Sequence, residues 1–109
     1  MRNHATMLGL WIVRTTDPHS ETLLGIVQSD LYLLAFTSAV RANTCMRMLG
    51  ATGSAFYLCS ANVDSVVRDA RASQVRGFIV DYDPRSATFS GAWPLPERAP
   101  AHQAAEARR

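Results

Sequence analysis

Leu31-Tyr32-Leu33-Leu34-Ala35-Phe36-Thr37-Ser38 is the stretch on which the fold turns. From Leu31 to Phe36 it is almost continuously apolar. A strand with only one buried face would alternate, so this run predicts a central strand covered on both sides. Thr37 and Ser38 then offer hydroxyls to the free N–H groups of a helical first turn. The helix is expected from about Ala39 to Leu49. There Ala42, Cys45, Met46 and Leu49 fall at i, i+3, i+4, i+7 and form one apolar stripe. Gly50 suits the C-terminal stop, and Arg47 suits the last turn.

The same grammar continues toward the C-terminus. Ala51-Thr52-Gly53 reads as loop and Ser54–Cys59 as a strand. Asn62 is placed to cap a second helix with Asp64 in its first turn and Val63, Val66, Val67 and Ala70 as its stripe. Gly77 leads into a strand over Phe78–Tyr82, and Asp83-Pro84-Arg85-Ser86 is a turn. Ala87–Trp93 alternates weakly and reads as an edge strand, closed by Pro94 and Pro96. Toward the N-terminus, Gln28-Ser29-Asp30 is short enough for a tight hairpin. Before it, Thr22–Val27 reads as a strand, with Gly25 marking a bulge. Thr16–Ser20 is a turn, and Met7–Arg14 is the first strand. The first three strands suggest an antiparallel meander.

The predicted class is α+β, a mixed sheet in the order β-β-β-α-β-α-β-β. Both helices are expected mainly on one face, or in a three-layer arrangement if the crossovers diverge. Residues 1–96 are read as one domain. Residues 97–109 offer nothing apolar larger than Ala, so a flexible tail is expected there.

Composition narrows the function. Apolar residues make up 48% of the 109, enough for a packed core. No run approaches a membrane span, and no signal-peptide pattern opens the chain, so a cytoplasmic protein is expected. The formal net charge is +2, from 11 basic and 9 acidic residues. Every basic residue is Arg. Charge this balanced lacks the concentrated basic face of a nucleic-acid binder, and nucleic acid is not expected as the main partner. Cys45 and Cys59 are too few for a disulfide scaffold. They have no metal-ligand spacing and read as buried thiols.

Two stretches carry a family resemblance. Leu33-Leu34-Ala35-Phe36-Thr37-Ser38 followed by a helix is one. Val75-Arg76-Gly77-Phe78-Ile79-Val80-Asp81-Tyr82-Asp83-Pro84 is the other. Together they resemble the N-terminal domain of SseB-like proteins, in which a strand ending in Phe-Thr-Ser is followed by a helix, and a Gly-led strand closes on Asn-Pro. Here Asp83 stands in place of that Asn, and the stretch from Gly77 to Pro84 is longer. The resemblance covers about residues 31–84. It implies an interaction or accessory domain rather than an enzyme.

No motif carries chemistry on its own. His4, His19 and His102 all lie in termini or a turn, away from both cysteines in sequence, whereas a nucleophile needs its base within hydrogen-bond reach. Gly50-Ala51-Thr52-Gly53-Ser54 follows a helix and precedes a strand, the reverse of a phosphate cradle. No cofactor and no metal is implied. Arg41, Arg47, Arg68, Arg71 and Arg76 would make a mild basic surface if the two helices were neighbours. If strands three, four and five run parallel, their carboxyl ends gather Thr37, Ser38, Ser60, Asn62, Asp81 and Asp83. Ligands bind open parallel sheets at that end. Caps and turns call for the same residue types. Trp11 and Trp93 are candidates for an interface. The function expected is a non-enzymatic interaction or regulatory module, working as a homodimer or with a protein partner. The alternatives are a ligand-binding or catalytic site at those strand ends, and weak nucleic-acid binding through the Arg-bearing helices.

Overall fold

A computed structural model describes residues 7–16 and 21–96. The tail over 97–109, the turn over 17–20 and all three histidines lie outside the described residues. The elements are β1 (Trp11–Thr15), β2 (Glu21–Thr22), β3 (Leu24–Val27), β4 (Asp30–Ala35), α1 (Ala39–Met48), β5 (Gly53–Tyr57), α2 (Val63–Ala72), β6 (Gly77–Val80) and β7 (Gly91–Pro94). The class and the order of elements are those the sequence predicts, with the second strand broken into β2 and β3.

The break has a cause. β1 and the end of β4 meet as an antiparallel bridge between Trp11 and Phe36, with N–H···O=C bonds of 2.8 and 2.7 Å exchanged between them. Beyond that point the two strands fork. The chain from Glu21 to Val27 fills the fork. It enters along β1, pairing Arg14 with Thr22, and leaves along β4, pairing Leu24 with Leu33. Leu23 sits at the apex. Its N–H donates to Val13 C=O at 2.9 Å, and its C=O accepts from Leu34 N–H at 3.3 Å. The corner therefore falls at Leu23, not Gly25, and each half of the meander remains antiparallel. β1 becomes an interior strand, flanked by β2 and β5.

β3 returns into β4 through Gln28 (φ 53) and Ser29 (φ 74). Positive φ at both central residues is what a type I′ hairpin turn demands, and neither side chain favours it. Replacing the pair by Asn-Gly is expected to raise the unfolding free energy by about 1 kcal/mol. An unchanged denaturation midpoint would show that the turn is not strained.

β4 and β6 are parallel neighbours, with Leu34 opposite Ile79, and β7 closes that sheet antiparallel to β6. Both strands are buried on both faces, as the unbroken apolar run of β4 requires. Leu33, Ala35, Phe78 and Val80 join Val66, Val67 and Ala70 of α2 in one core. Leu34, Phe36 and Ile79 join Ala42, Cys45 and Met46 of α1 in another. Side chains alternate across a strand, so the helices lie on opposite faces. The three-layer alternative is the one adopted, rather than both helices on one face. The physical reason is β5. It leaves the β4–β6 sheet, pairs antiparallel with β1, and so lets the two crossovers diverge. Strands β4, β5 and β6 do not form one parallel set. The same divergence places Arg41 and Arg47 on one side of the sheet and Arg68 and Arg71 on the other, so the helices present no single basic surface. No described helix is long and apolar enough to cross a membrane.

Candidate functional site

The sheet rim at the carboxyl ends of β4 and β6 is where sequence and structure meet. β6 stops at Val80 because Asp81 adopts φ 57, a left-handed conformation that Asp tolerates better than most residues. The Asp81 N–H still donates to Ala35 C=O at 2.8 Å, one step beyond the ladder. Its carboxylate then turns onto β4. Oδ1 accepts from the Thr37 N–H and Oδ2 from the Thr37 hydroxyl, each at 2.9 Å. Arg41 Nε lies 4.0 Å from Oδ2, and the Asp81 side chain is only 12% exposed. Ser38 Oγ accepts from Arg41 N–H at 3.1 Å, so it caps α1 as its position predicts. The first turn of α1 holds no acidic residue. Asp81 supplies, from another element, the negative charge that a helix N-terminus favours.

The next segment folds on itself in the same way. Asp83 Oδ1 accepts from Arg85 N–H at 3.0 Å, while its backbone exchanges 2.8 Å bonds with Thr88 and Ala87. The Arg85 N–H, helped by the Arg85 guanidinium and the Ser86 hydroxyl, holds the Asp83 carboxyl below the usual carboxylate range. β7 consequently begins at Gly91, later than Ala87, because Ala87 (φ 57) belongs to this turn. Between α1 and residues 81–85 lies an open cleft of about 140 Å³, lined by Val40, Arg41, Thr44, Cys45 and Met48 on the helix side.

Chemically the cleft is quiet. Burial, with the Asp83 charge adding to it, pushes the Cys45 thiol up to about 11. At neutral pH it is protonated and a poor nucleophile. In a Cys59→Ser variant, thiol reagents at pH 8 are expected to leave Cys45 unmodified until the protein unfolds. Labelling at the rate of a free thiol would contradict this. Among the described residues no three of His, Cys, Asp and Glu converge to hold a metal ion.

Of the predicted site residues, Thr37, Ser38, Asp81 and Asp83 share this rim. Ser60 and Asn62 belong to the loop after β5. β1 separates that strand from β4, because Trp11 pairs with Tyr57 on one side and bridges Phe36 on the other. Asn62 occupies the cap position of α2 but does not cap it. Its Oδ1 accepts from Cys59 N–H and its Nδ2 donates to Tyr57 C=O, both at 3.0 Å. Trp11 and Trp93 are both half-buried. Trp11 rests against Tyr57, with ring centroids 5.0 Å apart, and Trp93 stacks on Phe78 at 5.8 Å.

No protein-family model, curated protein or solved structure matches this chain.

One feature of the surface was hidden from sequence reasoning. β5 is the last strand of its sheet. The Leu58–Leu10 bond at 2.9 Å fixes the phase of the ladder with β1, so the N–H and C=O groups of Gly53, Ala55 and Tyr57 face outward. Among the described residues, those groups of Gly53 and Ala55 meet no partner, while Tyr57 C=O takes the Asn62 amide. The strand is Gly-Ser-Ala-Phe-Tyr, with neither charge nor proline. Natural edges are usually blunted by one or the other, as β7 is by Pro94. The absence of charge was legible in the sequence. The edge position was not, since this strand was expected to run parallel with the third and fifth.

Proposed function

We propose that this domain is a non-enzymatic interaction module that engages an extended partner strand along β5. The observation that carries this reading is the unblunted, uncharged edge from Gly53 to Tyr57. A strand added there gains main-chain hydrogen bonds and alternate side-chain contacts. The rim cleft supports the same reading from the opposite direction. The carboxylates of Asp81 and Asp83 are already bonded within the fold, and the Cys45 thiol is protonated at neutral pH. The likeness of residues 31–84 to SseB-like N-terminal domains is in keeping with an accessory role. A cytoplasmic setting belongs to the proposal, because two unpaired cysteines fit a reducing compartment.

The experiment compares wild type, Ala55→Pro and Asp83→Ala in complex formation and in ligand screening by thermal shift. The Ala55 N–H points away from β1, so proline there removes an outward donor and spares the internal ladder. The interaction reading expects complexes that Ala55→Pro loses and Asp83→Ala keeps. A small ligand that stabilises wild type and Ala55→Pro but not Asp83→Ala would favour the alternative of a ligand site at the rim.

A further inference from the structure

We infer that the strand which covers β5 is the β5 of a second copy of this chain, paired antiparallel about a two-fold axis at Ala55. The inference rests on the proposed role of β5 as a docking edge and names its occupant.

The strand is complementary to itself. Reversed about Ala55, it sets Gly53 against Tyr57 of the second copy, Ser54 against Phe56, and Ala55 against Ala55. Each large side chain meets a small one, and the smallest meets the exposed ring of Tyr57, which is 49% accessible. Pairing an aromatic ring over a glycine is a favourable cross-strand arrangement. No other centre in this five-residue strand matches both aromatics to small partners.

The backbone phase agrees. Gly53, Ala55 and Tyr57 turn their N–H and C=O groups outward, so the Ala55 pair and both Gly53–Tyr57 pairs fall at hydrogen-bonded positions. About six hydrogen bonds would form. Tyr57 C=O already accepts from Asn62 Nδ2, and a carbonyl has a second lone pair for the new strand.

Charge does not oppose the pairing. The edge carries none, and with a formal net charge of +2 per chain the long-range repulsion between copies is small. Three other strands were natural candidates for self-association. β1 lies inside its sheet, β7 is four residues long and ends in Pro94, and the β3 edge turns only the groups of Leu24 and Ile26 outward. None offers a comparable row of open groups.

The test is sedimentation of the 109-residue chain from micromolar to hundreds of micromolar, with wild type and Ala55→Pro side by side. Wild type is expected to move from its monomer mass of 12.0 kDa toward twice that value as concentration rises. Ala55→Pro is expected to remain monomeric throughout, with an unchanged circular dichroism spectrum. Ser54→Lys, at an exposed position of the same edge, gives a second variant should the proline disturb folding, and is expected to stay monomeric too. In a Cys59→Ser background, Ala55→Cys should oxidise to a covalent dimer, because directly opposed residues at such positions lie about 5.5 Å apart at Cα. A wild type that stays monomeric overturns the self-pairing. So does a dimer that survives both edge variants, or an Ala55→Cys variant that fails to cross-link while still dimerising. A monomeric wild type whose heterologous complexes are lost in Ala55→Pro would leave β5 as a docking edge with a different occupant. Complexes indifferent to Ala55→Pro would defeat the docking edge itself.

Discussion

Phe36→Ala is expected to lower the unfolding free energy by about 3–5 kcal/mol, the usual range for deleting a fully buried phenylalanine. Phe36 is 0% exposed and among the largest wholly buried side chains. It belongs to the core cluster that also holds Val13 of β1, Leu34 of β4, Ala42, Cys45 and Met46 of α1, and Ile79 of β6. That cluster joins each layer that meets on the α1 side. The Phe36 backbone forms the Trp11 bridge that joins the two sheets, and alanine leaves that bridge intact. The loss thus reports packing alone. Small domains hold about 5–15 kcal/mol in total, so the variant should be marginal at 37 °C. Phe36→Leu keeps most of the volume and should cost less than about 1.5 kcal/mol. Urea denaturation measures both. A loss under about 1 kcal/mol for alanine would mean that α1 collapses into the vacated space and that the layer is loosely packed.

Phe36 also shows how far the sequence could be read. The lack of alternation from Leu31 to Phe36 predicted a strand covered on both faces, and Leu33 and Leu34 do enter different cores. Period and capping placed α1 to within about a residue, and period placed α2 although Asn62 does not cap it, since those signals are local. Which strand pairs with which is a non-local fact. β5 has the same apolar character whether it lies between β4 and β6 or beside β1, and its residue pattern does not choose. That one uncertainty spread. It moved Ser60 and Asn62 from the rim to the far side of β1, set the helices on opposite faces, and left β5 as an open edge. The fork at Leu23 was equally silent. Thr22-Leu23-Leu24 reads as unbroken strand, and only the divergence of β1 from β4 forces the corner. At the candidate site the residue types were legible because caps and turns require them. That Asp81 would reach Thr37 depended on the parallel register of β4 and β6.

Asp81→Ala is expected to cost about 3 kcal/mol, more than any other change at the rim. Three losses add. The Thr37 N–H and hydroxyl both lose their acceptor, and each of these solvent-reachable bonds is worth about 0.5–1.5 kcal/mol net. Alanine is less at ease than aspartate at φ 57, adding roughly 1 kcal/mol. The N-terminus of α1 loses its nearby negative charge, worth about 0.3–1 kcal/mol. The Arg41 contact adds little, since Nε stands 4.0 Å away on a side chain that is 64% exposed. Two companions separate these contributions. Asp81→Asn keeps the left-handed backbone and one carbonyl acceptor for the Thr37 N–H, so it should lose about 1 kcal/mol. Asp81→Gly relieves the backbone but removes both acceptors, and should fall between the two. Ser38→Ala gives a scale from the same rim, because losing that cap alone costs about 1 kcal/mol. The order Ala, Gly, Asn, from most to least destabilised, identifies Asp81 as the clasp that ties the end of β6 to the start of α1. A stability unchanged by Asp81→Ala would break this account. It would mean that the carboxylate is free of structural duty, and it would restore the rim as a place where a ligand amine or cation could be held.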